Sequence, residues 1–123
     1  MRIAITAQGE DLDSAMDPRF GRCRSFIIVD SDSDKFEAFS NESVMASGGA
    51  GTQSAQFLVN KGVDAVVTGN VGPNAARALE AAGIKVYVAT SGTVRDALQA
   101  YKEGRLSPVS GATVDSHHGM GRR

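Results

Sequence analysis

Along this chain the apolar positions fall into short runs separated by glycine- and aspartate-rich turns, and each run has a readable period. Ile3 and Ile5 alternate with Arg2, Ala4 and Thr6, so Arg2 to Ala7 reads as a strand. Ser25 to Asp30, carrying Phe26, Ile27, Ile28 and Val29, reads as a second. The polar cluster Ser31-Asp32-Ser33-Asp34 then turns the chain into a third, Lys35 to Ser40, with Phe36 and Phe39. So short a turn makes that pair antiparallel. Ala65, Val66 and Val67 form a nearly continuous apolar run, the pattern of a strand buried on both faces near the middle of a sheet. Ile84, Val86 and Val88 alternate with Lys85 and Tyr87 in a fifth strand.

Between the later strands the period lengthens to that of a helix. Ala55, Leu58 and Val59 share one face over Gln53 to Lys61, with Gly62 as a stop. Ala75, Ala76, Leu79 and Ala82 do the same from Pro73 to Ala82, where Pro73 suits the first helical position and Gly83 ends the run. Thr93 and Asp96 have the spacing of a capping box ahead of Val94, Ala97, Leu98 and Tyr101. The order predicts an α/β domain, a meander followed by two right-handed crossovers: a five-stranded mixed sheet with three helices on its faces. Residues 1–106 would form this single domain. Residues 107–123, with Val109 and Val114 as their large aliphatics, would form a flexible C-terminal tail. The connection from Gln8 to Arg22, with four acidic residues, is either a binding loop or a solvated excursion.

Composition narrows the function. A formal net charge of -1 over 123 residues gives no basic excess and no electrostatic case for a nucleic-acid partner, so none is expected. One cysteine, Cys23, permits no internal disulfide, and no stretch nears the roughly 20 apolar residues of a membrane helix. A cytoplasmic protein, monomeric or weakly dimeric and without a membrane partner, is expected.

The turn chemistry points to an anion. Helix starts near Thr52, Pro73 and Thr93, two of them directly after parallel strands, expose backbone N–H groups at one end of the sheet, where open α/β sheets gather ligands. Gly48 to Thr52 lacks the Gly-Lys-Ser/Thr ending of a nucleotide P-loop, and the acidic loop lacks the closing glutamate of an EF-hand. Enzyme readings find little: the first strand carries no carboxylate for a metal-dependent nuclease, and there is no nucleophile elbow.

Four segments, Asp17-Pro18-Arg19-Phe20-Gly21-Arg22-Cys23, Gly48-Gly49-Ala50-Gly51-Thr52, Thr68-Gly69-Asn70-Val71-Gly72-Pro73-Asn74-Ala75 and Ala82-Gly83-Ile84-Lys85-Val86-Tyr87, resemble in kind and order the dinitrogenase iron-molybdenum cofactor biosynthesis family. That is the family of NifX, NafY and the C-terminal domain of NifB. The resemblance covers roughly the first hundred residues. It implies a ribonuclease H-like fold, binding or carriage of an iron-sulfur or iron-molybdenum cluster, and metallocofactor assembly proteins as partners.

Candidate cofactor-binding residues are Arg19, Phe20, Gly21, Arg22 and Cys23 in the first motif and Gly49, Gly51 and Thr52 in the second. Gly69, Asn70 and Gly72 follow in the third, with Ser91, Gly92 and Thr93 ahead of the last helix. Candidate metal ligands are Cys23, whose pKa the flanking Arg19, Arg22 and Arg24 would lower, and the adjacent His117 and His118. The alternatives are a buried, inert cysteine and incidental tail histidines. At the level of function they are a non-catalytic regulatory or interaction module that keeps the fold without a cofactor, and an anion-binding enzyme of unknown substrate.

Overall fold

The computed structural model describes residues 1–41, 50–89 and 92–109. Strand β1 (Arg2–Ala7) is buried from Ile3 onward because it has a hydrogen-bonded neighbour on each side and a helical layer over each face. Its neighbours are β2 (Ser25–Asp30), antiparallel with Ile3 opposite Val29, and β4 (Ala65–Thr68), parallel with Ile3 opposite Ala65. Beyond them lie β3 (Phe36–Ser40) on one side and β5 (Lys85–Val88) on the other. The expected α/β class and mixed sheet are present, but the sheet has six strands rather than five, in the order β3-β2-β1-β4-β5-β6. The sixth, β6 (Pro108–Val109), pairs antiparallel with β5 through Val86–Val109 and Tyr87–Pro108. Two residues are too few to show an alternation, and a proline is tolerated here because the strand lies on an edge.

Alternating side chains divide the core into two layers. Ala4, Phe26, Ile28, Val66 and Val86 face α1 (Ala50–Asn60) and α2 (Pro73–Ala81), meeting Ala55, Leu58, Ala75, Ala76 and Leu79. Ile3, Ile5, Ile27, Val29 and Val67 face α3 (Val94–Lys102), meeting Val94, Ala97 and Leu98. Helix α1 begins three residues earlier than its apolar period suggests, so Gly51 is helical. A Cβ at Gly51 would stand 3.2 Å from that of Ala75, so the missing side chain lets the first turns of α1 and α2 approach closely.

The Gln8–Arg22 connection is not a solvated excursion along its length. Leu12 and Met16 are buried in the α3 layer, and the loop backbone bridges Ala7 to Met16 and Ala15 to Thr93. Its carbonyls also satisfy the start of α3, where Val94 N–H donates to Ser14 O at 2.9 Å and Arg95 N–H to Leu12 O at 2.7 Å. The capping box is in place: Thr93 Oγ1 accepts from Asp96 N–H at 3.1 Å, and Thr93 N–H donates to Asp96 Oδ2 at 3.0 Å. Thr93→Ala should therefore cost about 1 kcal/mol, a fall of roughly 3–5 °C in Tm by circular dichroism. An unchanged Tm would mean that the loop carbonyls alone hold the helix start.

Candidate functional site

The site is built where β1 and β4 end. At the end of β1 the Thr6 hydroxyl donates to Asp17 O at 2.5 Å and lies 2.9 Å from Thr68 Oγ1 on β4, while Asp17 N–H donates to Thr6 O at 2.9 Å. The next residues dock on the turn after β4: Asn70 N–H donates to Pro18 O at 2.6 Å, and Phe20 N–H donates to Asn70 O at 3.1 Å. Pro18 sits so close that a Cβ on Gly69 would lie 2.5 Å from Pro18 Cβ. The first and third motifs thus form one interlocked unit. Phe20 then turns into the core, its ring centroid 5.9 Å from that of Phe26, and Arg22 stays at the surface.

Between this unit and the helix starts lies an open cleft of about 260 Å³. Phe20 and Arg22 form one wall, Gly51 and Thr52 of α1 a second, and Gly72, Pro73, Asn74 and Ala75 of α2 a third. Gly72 is the N-cap of α2 and no side chain among the described residues caps this helix, so the N–H groups of Asn74 and Ala75 are left to the cleft. Asn74 Oδ1 accepts from Arg77 Nη2 at 3.0 Å, which leaves its Nδ2 as a donor. Among the described residues, no acidic side chain lines the cleft. Its polar equipment is a guanidinium, an amide, a hydroxyl and the positive end of α2, the complement of an anion with several acceptor atoms.

The arginines do not contribute equally. Arg19 is committed to Asp17, whose buried carboxylate accepts from Arg19 N–H at 3.0 Å, Nε at 3.1 Å and Nη2 at 3.1 Å. Those bonds, and the charge of Asp17, push the Arg19 pKa further up. The pair is internally neutral, so Arg22 is the cation facing the cleft.

Cys23 differs from expectation too. Its side chain is fully buried among Phe20, Phe26 and the α1–α2 core, outside the cleft lining. Burial above all, and then the charge of Asp17, push the thiol pKa up to about 12 instead of down. Arg22 and Arg24 are exposed, and the charge of Arg19 is taken up by Asp17, so burial decides the direction.

Gly21 is buried within the first motif, and Gly69 and Asn70 hold that motif by their backbones. Gly92 and Thr93 lie on the α3 side with their backbone groups bonded to the acidic loop, so the third helix start does not join the other two. Gly49, Ser91, His117 and His118 lie outside the described residues. Among the described residues, no three His, Cys, Asp or Glu side chains are grouped to hold a metal ion. Sequence reasoning missed the roles of Thr6, Asn41 and Thr68, buried polar residues whose partners are distant in sequence, and of Asp17, whose buried carboxylate is held by Arg19 two residues on. Proline at the first position of α2 signalled that Asn74 and Ala75 would be uncapped donors.

An open mixed α/β sheet with an anion-type cleft at the ends of its parallel strands defines the class. The chain belongs to the dinitrogenase iron-molybdenum cofactor family, whose model matches residues 1–104. It is 43% identical to the orange protein of Desulfovibrio gigas, whose apo structure superimposes with a TM-score of 0.88 over 91% of this chain and 95% of that one. A Thermotoga protein put forward as a NifB protein is 42% identical, with a TM-score of 0.81 over 91% and 96% of the two chains. An uncharacterized protein of Methanocaldococcus jannaschii is 32% identical over 109 residues, covering 86% of this chain and 89% of that relative. The family ties the chain to iron-molybdenum cofactor biosynthesis and, through it, to nitrogen fixation. No helix among the described residues is long and apolar enough to cross a membrane.

Proposed function

We propose that this protein is a small cytoplasmic carrier that holds an iron-sulfur or iron-molybdenum cluster, or a precursor of one, during metallocofactor assembly. The cargo sits between Arg22 and the first turns of α1 and α2. The observation that carries this reading is the cleft lining, whose described residues offer hydrogen-bond donors and one guanidinium and no carboxylate. Metal-sulfur clusters are usually anionic, and their sulfides accept hydrogen bonds from donors of this kind. With Cys23 buried and protonated, the described residues would hold such a cargo by charge and hydrogen bonding, an attachment that permits release to an assembly partner. Among the described residues the cleft pairs no nucleophile with a base, and the carrier reading gives the protein no turnover of its own.

Anaerobic titration with isolated iron-molybdenum cofactor, and separately with a [4Fe–4S] cluster, tests this by absorbance and metal analysis. The intact protein should bind one of them stoichiometrically and more weakly as salt is raised. Arg22→Gln should weaken binding about tenfold, the loss of one charge-assisted contact, and Cys23→Ala should leave it unchanged. If neither cluster binds the intact protein, the carrier reading fails and the interaction-module reading takes its place. If a folded Cys23→Ala protein loses binding, the thiolate is a ligand after all.

A further inference from the structure

The two carbonyls on either side of Arg22 are both bonded to one side chain. Asn41, buried just beyond β3, donates from Nδ2 to Gly21 O at 3.0 Å and to Cys23 O at 3.0 Å, and its own N–H donates to Arg24 O at 2.9 Å. Its Oδ1 in turn accepts from Ser54 Oγ of α1 at 3.3 Å. Both amide hydrogens and the amide oxygen are therefore used within one buried cluster. Holding Gly21 O fixes the peptide plane that enters Arg22, and holding Cys23 O anchors the chain one residue past it, with Cys23 turned into the core and Arg22 kept at the cleft. Ser54 lies two residues beyond Thr52, so the same amide ties the Arg22 wall of the cleft to the α1 wall.

We infer that Asn41 is a positioning residue for the cargo site: through Gly21, Cys23 and Ser54 it holds Arg22 at a set distance from the start of α1. This rests on the carrier reading. A buried asparagine with every polar group satisfied specifies one arrangement, because any other would leave carbonyls unpaired away from water. An alanine here would free Arg22 to swing into solvent, where it contributes little to holding an anion.

The test is a double-mutant cycle read by iron-molybdenum cofactor titration. Asn41→Ala should weaken binding about tenfold in the parent background and less than about twofold when Arg22→Gln is already present, since the two act as one unit. Ser54→Ala, which removes one hydroxyl donor and keeps the rest of the cluster, should show the same non-additivity with a smaller loss. It carries the test if Asn41→Ala does not fold. Losses that simply add in both backgrounds would reduce Asn41 to a stabilising residue and overturn the inference while the carrier reading stands. Failure of the parent protein to bind either cluster would remove both.

Discussion

Gly69→Ala should melt about 10 °C below the parent protein. The added Cβ would lie 2.5 Å from Pro18 Cβ, 2.7 Å from Pro18 Cα and 2.9 Å from Pro18 O, and backbone atoms cannot rotate away as a side-chain tip could. Relief requires lifting the Asp17–Arg22 segment off the β4 turn, which breaks the Asn70-to-Pro18 and Phe20-to-Asn70 hydrogen bonds and unseats Phe20 from Phe26. Overpacking of this kind costs about 3 kcal/mol, and in a domain of this size each 1 kcal/mol moves Tm by roughly 3–5 °C. Gly72→Ala is the control, since its Cβ meets nothing within 4 Å and the glycine φ of -79° suits any residue. It should stay within about 1 kcal/mol of the parent while narrowing the cleft mouth. Equal melting of the two variants would show that the first and third motifs are not interlocked as described.

The same pair shows what the sequence could and could not reveal. Both glycines stand in one turn and looked alike as punctuation. One is required by a proline 51 positions away in the chain, and the other opens a helix end. Local patterns carried the local facts: β1, β2, the capping box of α3 and the proline start of α2 all lie where period and turn chemistry put them. What failed depended on contacts between distant segments. The acidic loop could be read as a binding loop or as a solvated excursion because Leu12 and Met16, two of its buried apolar residues, stand among mostly polar neighbours, and Arg19 looked free because its partner is a buried carboxylate two residues away. The third helix start looked available for a ligand because the carbonyls of Leu12 and Ser14, which satisfy it, lie some eighty residues earlier. Hydrophobic period reports burial of a face. It carries no information about which loop carbonyl will meet which N–H.

Cys23 provides the other large effect, in the dependence of stability on pH. Its thiol titrates near 9.0 when solvated and is pushed up to about 12 in the fold, first by burial and second by the charge of Asp17. The unfolded chain therefore releases this proton before the native protein does. Stability from the buried neutral thiol is fully present below pH 9 and is lost as pH rises toward 12, because there the unfolded state binds fewer protons than the native one. The slope is about 1.4 kcal/mol per pH unit, so on the order of 3 kcal/mol is gone by pH 11. Other groups titrate in this range, so the quantity to measure is the difference between the parent protein and Cys23→Ala in urea denaturation at pH 8, 10 and 11. That difference should shrink and then reverse in favour of the variant. In the same samples at pH 8, Ellman's reagent should react at least about a hundredfold more slowly with the native parent than with the urea-unfolded chain, as expected of a thiol that must first be exposed. A pH-independent difference together with rapid native labelling would place the thiolate in contact with solvent. The cleft would then have a soft ligand at its wall, and Arg22 would serve to balance the charge of a coordinated cluster. A protonated, unreactive Cys23 leaves the uncapped start of α2 and the guanidinium of Arg22 as the attachment, and makes retention of the cargo a matter of ionic strength more than of redox state.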